Sequence, residues 1–167
     1  MIASGNRLVF GSVNASGMAG LYATEGTPET TVLLSQPDQK PSIPQHLTDV
    51  DGTIYYSDWY NFSGRTTANF WKSDGTPEGT RAVLRGLTEV NSITRVVSKV
   101  IFITTNPNGN LWLWKTINVG VNFVKEIPSG GSRKTLHHPI AVSDLLMYFV
   151  ANDGVHGAEL WKSDGTP

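Results

Sequence analysis

Asp58-Trp59-Tyr60-Asn61-Phe62-Ser63-Gly64-Arg65 gathers an acid, three aromatic rings and a guanidinium around one glycine. Aromatic rings with a polar edge stack on sugars or anchor a protein partner, and arginine pairs with carboxylates and other planar acceptors. Trp59, Tyr60, Phe62 and Arg65 are therefore the candidate ligand-binding residues. The same types also serve structure, if Trp59 and Phe62 fold back to cover the edge of a sheet.

A second stretch invites a catalytic reading and resists it. Trp71-Lys72-Ser73-Asp74-Gly75-Thr76-Pro77 recurs letter for letter at Trp161 to Pro167. Serine beside aspartate suggests a nucleophile, but no histidine recurs at a fixed offset to serve as its base. An enzyme needs one constellation, whereas a repeated scaffold needs the same turn in every unit. The string reads as a strand end, a turn with proline second and glycine fourth, and a strand start at Thr80. Other chemistry is sparse. The chain has no cysteine, and His137-His138 point to opposite sides of any strand, so they cannot grip one ion together. Asn152-Asp153-Gly154 offers oxygens but lacks a full calcium ligand ladder and reads as a turn. We expect no metal and no cofactor. A polysaccharide hydrolase or lyase would need two non-recurring carboxylates about 5–10 Å apart; the sequence shows no such pair, and Asp58, Glu89 and Asp153 stay open as single candidates. Asn14-Ala15-Ser16 and Asn61-Phe62-Ser63 fit the glycosylation triplet, which matters only in a eukaryotic secretory setting.

The verbatim string prompts a search for weaker copies. Tyr22 to Thr31 aligns with Trp71 to Thr80, sharing Gly-Thr-Pro-Glu and the final threonine, and a worn copy begins at Trp114-Lys115-Thr116. The anchor aromatics Tyr22, Trp71, Trp114 and Trp161 are spaced by 49, 43 and 47 residues. Phe10, Phe102 and Phe149 each sit 12 residues before their anchor, and Tyr56 sits 15 before Trp71, marking a three-residue insertion in the second unit.

Each period predicts four strands. In the second unit they are His46 to Val50, Thr53 to Asp58, Asn69 to Asp74 and Thr80 to Gly86, with Asp51-Gly52 as a hairpin turn. The third gives Ser92 to Val97, Lys99 to Thr105, Leu111 to Thr116 and Val121 to Ile127. The fourth gives Pro139 to Ser143, Leu145 to Ala151 and Ala158 to Asp164. The first begins late, with Arg7 to Val13, Leu21 to Thr24 and Thr31 to Leu34. Runs such as Leu111-Trp112-Leu113-Trp114 are apolar on both faces, as in strands covered on both sides. Four short antiparallel strands per 40–50 residues is the size of a β-propeller blade. The expected fold is all-β and propeller-like, about 3.5 blades within one repeat domain, at residues 1–40, 41–88, 89–128 and 129–167. The remaining blades would come from a longer chain or a second copy.

Bulk properties agree. The 167 residues carry 13 basic and 14 acidic side chains, a balance that gives nucleic acid no electrostatic footprint. No apolar run reaches the roughly 20 residues that span a bilayer, and Met1-Ile2-Ala3-Ser4-Gly5 lacks the features of a secretion signal.

Glu159-Leu160-Trp161-Lys162-Ser163-Asp164-Gly165-Thr166 resembles the ELWxxDGT repeat, a family of tandem repeats in large, mostly bacterial proteins, and Asp153-Gly154-Val155-His156-Gly157 resembles the loop preceding it. Only the last unit matches fully. The second has Asn69-Phe70-Trp71, the first Tyr22 and Glu25, and the third has lost the Asp-Gly-Thr turn. The resemblance implies a propeller-type fold, a secreted or cell-surface location, and a binding or scaffold role toward glycan or protein ligands without catalytic residues. A purely structural spacer is the bland alternative.

Overall fold

The computed structural model describes residues 1–35, 43–62, 64–118, 120–128 and 137–167, without the side chains of Phe62 and residues 137–139. The strands are β1 Ile2–Ser4, β2 Arg7–Val13, β3 Ala19–Thr24, β4 Val32–Ser35, β5 Gln45–Val50, β6 Thr53–Phe62, β7 Arg65–Ser73, β8 Arg81–Leu87, β9 Glu89–Val96, β10 Lys99–Thr105, β11 Leu111–Ile117, β12 Gly120–Ile127, β13 His137–Ser143, β14 Leu146–Asn152 and β15 Ala158–Ser163. Among the described residues there is no helix. The chain is all-β: sheets β1–β4, β5–β8 and β9–β12 have four strands each, β13–β15 has three, and none closes on itself.

One expectation is corrected. The first repeat has its opening strand, β1, paired with β2 through Ile2↔Val9 and Ser4↔Arg7. Three residues are too few for an alternating pattern to register in a sequence.

The chain divides into two compact halves, Met1–Gly86 and Leu87–Pro167. In the first, Val9, Leu21, Ala23 and Leu34 of one sheet pack on Ile54, Tyr56 and Trp71 of the next. In the second, Ile101, Ile103, Leu111 and Leu113 pack on Met147, Phe149 and Ala151 in the same way. In each half the two facing sheets cover one face of each other, which buries alternate residues of strands such as β11 and β14 and leaves those between them partly buried.

Local chemistry repeats with the sheets. The first two strands of every sheet are joined by two residues, the first with positive φ: Gly5 at 60°, Asp51 at 52°, Val97 at 57° and Asp144 at 54°. Primed turns of this kind match the twist of the flanking strands, strongly enough to hold even the β-branched Val97 in a region that such residues avoid. The paired aromatics of the sequence are cross-strand partners: Phe10↔Tyr22, Tyr56↔Trp71, Phe102↔Trp114 and Phe149↔Trp161. The first three pairs stack at centroid distances of 5.7, 5.9 and 6.0 Å. A bulge follows the same step in two sheets, between Leu21 and Tyr22 and between Leu113 and Trp114.

The Asp-Gly-Thr turn after the third strand is held by hydroxyls. Ser73 Oγ accepts the Gly75 amide at 3.0 Å and meets the Thr80 hydroxyl at 2.7 Å, while Thr80 donates to the Thr76 carbonyl at 2.6 Å. Thr24, Thr31 and Thr27 repeat this network in the first sheet, and Ser163 Oγ accepts the Gly165 amide at 3.0 Å in the fourth. Asp74 Oδ1 accepts the Thr76 amide and hydroxyl at 2.9 and 2.7 Å, which lowers its pKa, the hydroxyl contributing most. Serine and aspartate are thus both engaged within the turn.

A cation ties the turns of the second and fourth sheets to the sheet before each. Arg7 Nη1, at the start of β2, donates to the Gly75 carbonyl at 2.9 Å. Lys99, three residues before Phe102 as Arg7 is before Phe10, donates its ammonium to the Asp164 carbonyl.

Candidate functional site

Strands two and three of each sheet are joined at the end opposite the turn that follows strand three, and in three sheets a side-chain oxygen there accepts the amide two residues on. Asn14 Oδ1 accepts the Ser16 and Met18 amides at 3.1 and 2.9 Å, and Asn106 Oδ1 accepts the Asn108 and Asn110 amides at 2.9 Å each. Both loops also close with Gly17 and Gly109 amides donating to the carbonyls of Asn14 and Asn106 at 2.9 Å. Asp153, four residues after Phe149 as these asparagines are after their phenylalanines, accepts the Val155 and His156 amides at 2.8 and 3.0 Å. Side-chain oxygens of Asn and Asp bond the backbone two residues on and so fix such loops.

The second sheet abandons this loop. Tyr60 stands at the position of the capping residue, and the ladder runs on through Trp59↔Ala68, Tyr60↔Thr67, Asn61↔Thr66 and Phe62↔Arg65. The segment expected as a loop is therefore a hairpin extension of β6 and β7, turning at Gly64 with φ 78°. Strand alternation sends Trp59 and Tyr60 to opposite faces of this ribbon. Trp59 is 43% exposed and shares its face with Asn61, Thr66 and Ala68. Tyr60 is half-buried, and Arg65 is exposed at the tip. The candidate residues share one hairpin, but the two described rings do not form a single platform. The side chain of Phe62 lies outside the described residues, as do those of His137 and His138.

At the root of the hairpin Asp58 is 2% exposed. Its Oδ1 accepts the Asn69 side-chain amide at 2.9 Å, while among the described residues neither its buried Oδ2 nor the buried Trp71 indole nitrogen has a partner at hydrogen-bond geometry. Burial pushes the pKa of Asp58 up, opposed by the Asn69 amide, the nearby Trp71 indole and the Arg85 charge. Arg85 lies over the Trp71 ring at 5.1 Å. A carboxyl with a raised folded-state pKa binds its proton more readily in the native chain, so it erodes stability as pH rises from about 3.8 through the folded value. Asp58→Asn removes this titration. Thermal unfolding of both proteins across pH 4–7 should show the variant gaining on the wild type as pH rises; a constant difference would contradict the assignment.

The other acids lie elsewhere. Glu89 is exposed at the start of β9, and Asp153 caps the loop before β15. Donor atoms of Asp153, His156 and Glu159 lie within 4.8 Å of one another, a set that could hold a divalent cation. Turn bonds account for the closeness of Asp153 and His156. The His156 and Val155 amides hold the Asp153 carboxyl well below the usual range, and the Asp153 carboxylate, 3.0 Å from His156 Nδ1, raises the imidazole.

A scan of family models finds none that matches the chain, and a search of curated proteins finds no relative.

Proposed function

We propose that the chain is a non-catalytic binding or scaffold module of a secreted or cell-surface repeat protein of the ELWxxDGT type, its sheets serving as propeller blades. It contacts a glycan or protein ligand through the β6–β7 hairpin. The observation that carries the reading is the exchange of a shared, self-capped loop for an extended ribbon in one sheet of four, with an exposed indole on one face and a guanidinium at its tip. A spacer has no use for such an exception. Loops and tips that depart from a repeated scaffold are where recognition concentrates.

Glycan-array binding by the wild type, Trp59→Ala, Tyr60→Ala and Arg65→Ala tests it. Trp59→Ala or Tyr60→Ala should weaken binding about tenfold or more, the loss of one well-seated anchor, and whichever is the more severe identifies the ligand-bearing face. Equal signals from all four proteins exclude the hairpin as the site.

A further inference from the structure

The register of β6 and β7 sorts the chemistry of the hairpin by face. Tyr60 pairs with Thr67, and strand alternation puts Tyr60, Arg65 and Thr67 on the side that also carries Asp58, Asn69 and Trp71. Trp59, Asn61, Thr66 and Ala68 occupy the reverse, and none of the four is charged. The Tyr60 side is met by a guanidinium at each end. Arg65 is exposed at the tip, and Arg85, also exposed, lies over the Trp71 ring at 5.1 Å. Among the described residues neither arginine is in an ion pair. Asp58, the acid on this side, is 2% exposed and turns its Oδ1 to Asn69, so it shows an approaching ligand little negative charge. Between the two cations stand a half-buried phenol and a half-buried hydroxyl, Tyr60 and Thr67. Six residues separate Trp71 from Arg65, which at ~3.3 Å each makes about 20 Å of strand.

We propose that this side of the hairpin binds an extended carboxylated polysaccharide, a chain of uronic acid residues. Arg65 and Arg85 each take a carboxylate, which the planar guanidinium fork matches with two parallel bonds, and Tyr60 lies against a sugar ring between them. The inference rests on the reading of the hairpin as the binding element and adds to it the ligand-bearing face and the charge of the ligand. A neutral glycan would make no use of the cations, and a single sugar acid could not reach both. The described side chains between the arginines are polar-tipped rather than apolar, which favours a sugar over the buried anchor of a protein partner.

The test is calorimetric titration of the intact chain with polygalacturonate, with the same polymer after carboxyl reduction, with dextran sulfate and with polyglutamate. Polygalacturonate should bind at least about tenfold more tightly than the other three, the size of one charge-assisted contact. Arg65→Gln and Arg85→Gln should each weaken that binding about tenfold, and Tyr60→Ala should weaken it more than Trp59→Ala. Arg81→Gln, at the far end of β8, should bind like the wild type. Arg65 is exposed, so Arg65→Gln carries the test even where another variant loses stability. Equal binding of the carboxyl-reduced polymer, or a larger loss from Trp59→Ala than from Tyr60→Ala, overturns the proposal and leaves the hairpin as the binding element. Dextran sulfate or polyglutamate binding as tightly as polygalacturonate overturns it in favour of charge alone or of an acidic protein. Failure of polygalacturonate to bind overturns it outright, while the glycan array still decides whether the hairpin binds another sugar.

Discussion

Trp71→Ala should destabilise the chain by about 3–5 kcal/mol, the range for removing a large buried aromatic from a packed core, and Trp161→Ala by markedly less. The two residues occupy the same place in identical strings, so the string by itself gives no ground for unequal effects. Structure does. Trp71 is 7% exposed, stacks on Tyr56 at 5.9 Å with the rings 12° apart, and carries Arg85 over its ring at 5.1 Å. The aromatic pair and the cation each add about 0.5–1.5 kcal/mol or less to what burial alone provides. Trp161 keeps a bond from its indole nitrogen to the Ala151 carbonyl at 3.1 Å and packs on the second core from one side. Urea unfolding of both variants, followed by circular dichroism, measures the difference. Equal losses would mean that β8 contributes nothing to the burial of Trp71.

Gly79→Thr should cost about 1–3 kcal/mol, as overpacking does, and adding Asp74→Glu should recover most of the loss. A Cβ on Gly79 would land on the Asp74 carboxylate, which cannot swing away without releasing the Thr76 amide and hydroxyl. The first sheet shows the compensated version. It has Thr30 where the second has Gly79, and Glu25 where the second has Asp74. The longer acid reaches out to Arg7 at 3.4 Å, and the Thr30 hydroxyl takes over the turn, accepting the Glu25 and Thr27 amides at 3.2 Å each. A double-mutant cycle by thermal unfolding should return a coupling of about 1 kcal/mol or more, typical of residues in contact. Strict additivity would show that the pairing of acid and residue across the turn is coincidental.

Much of the architecture was legible in the residues because it is written in short-range chemistry. Asp-Gly, Thr-Pro-Glu and the aromatic spacing act within one hairpin, and the structure turns that spacing into cross-strand pairs at Phe10↔Tyr22, Phe102↔Trp114 and Phe149↔Trp161. The insertion at Tyr56 was legible as extra length but not as shape. Gly64 and the polar residues around it suggest a loop, while the ladder from Trp59↔Ala68 to Phe62↔Arg65 is sustained by backbone bonds that no single side chain announces. Nor could spacing show that Trp59 and Tyr60 face opposite ways, because that follows only once both lie in a strand. The loops capped by Asn14, Asn106 and Asp153 were visible letters without a shared meaning until their positions after Phe10, Phe102 and Phe149 coincided with a shared bond from the amide two residues on. The ties from Arg7 to Gly75 and from Lys99 to Asp164 join residues far apart in the chain and carry no local signature.

Those ties bear on how such a chain can lengthen. The donor lies in one sheet and the acceptor in the next, so a duplicated segment encoding a single sheet inherits half of the contact and leaves the other half behind. A segment encoding two sheets carries both ends with it. In this chain the cation and its acceptor both return after ~90 residues, as does the seven-letter string. The two ties thus keep a two-sheet register, and within a pair the members differ, one with an Asn-capped loop and its neighbour with an extended hairpin.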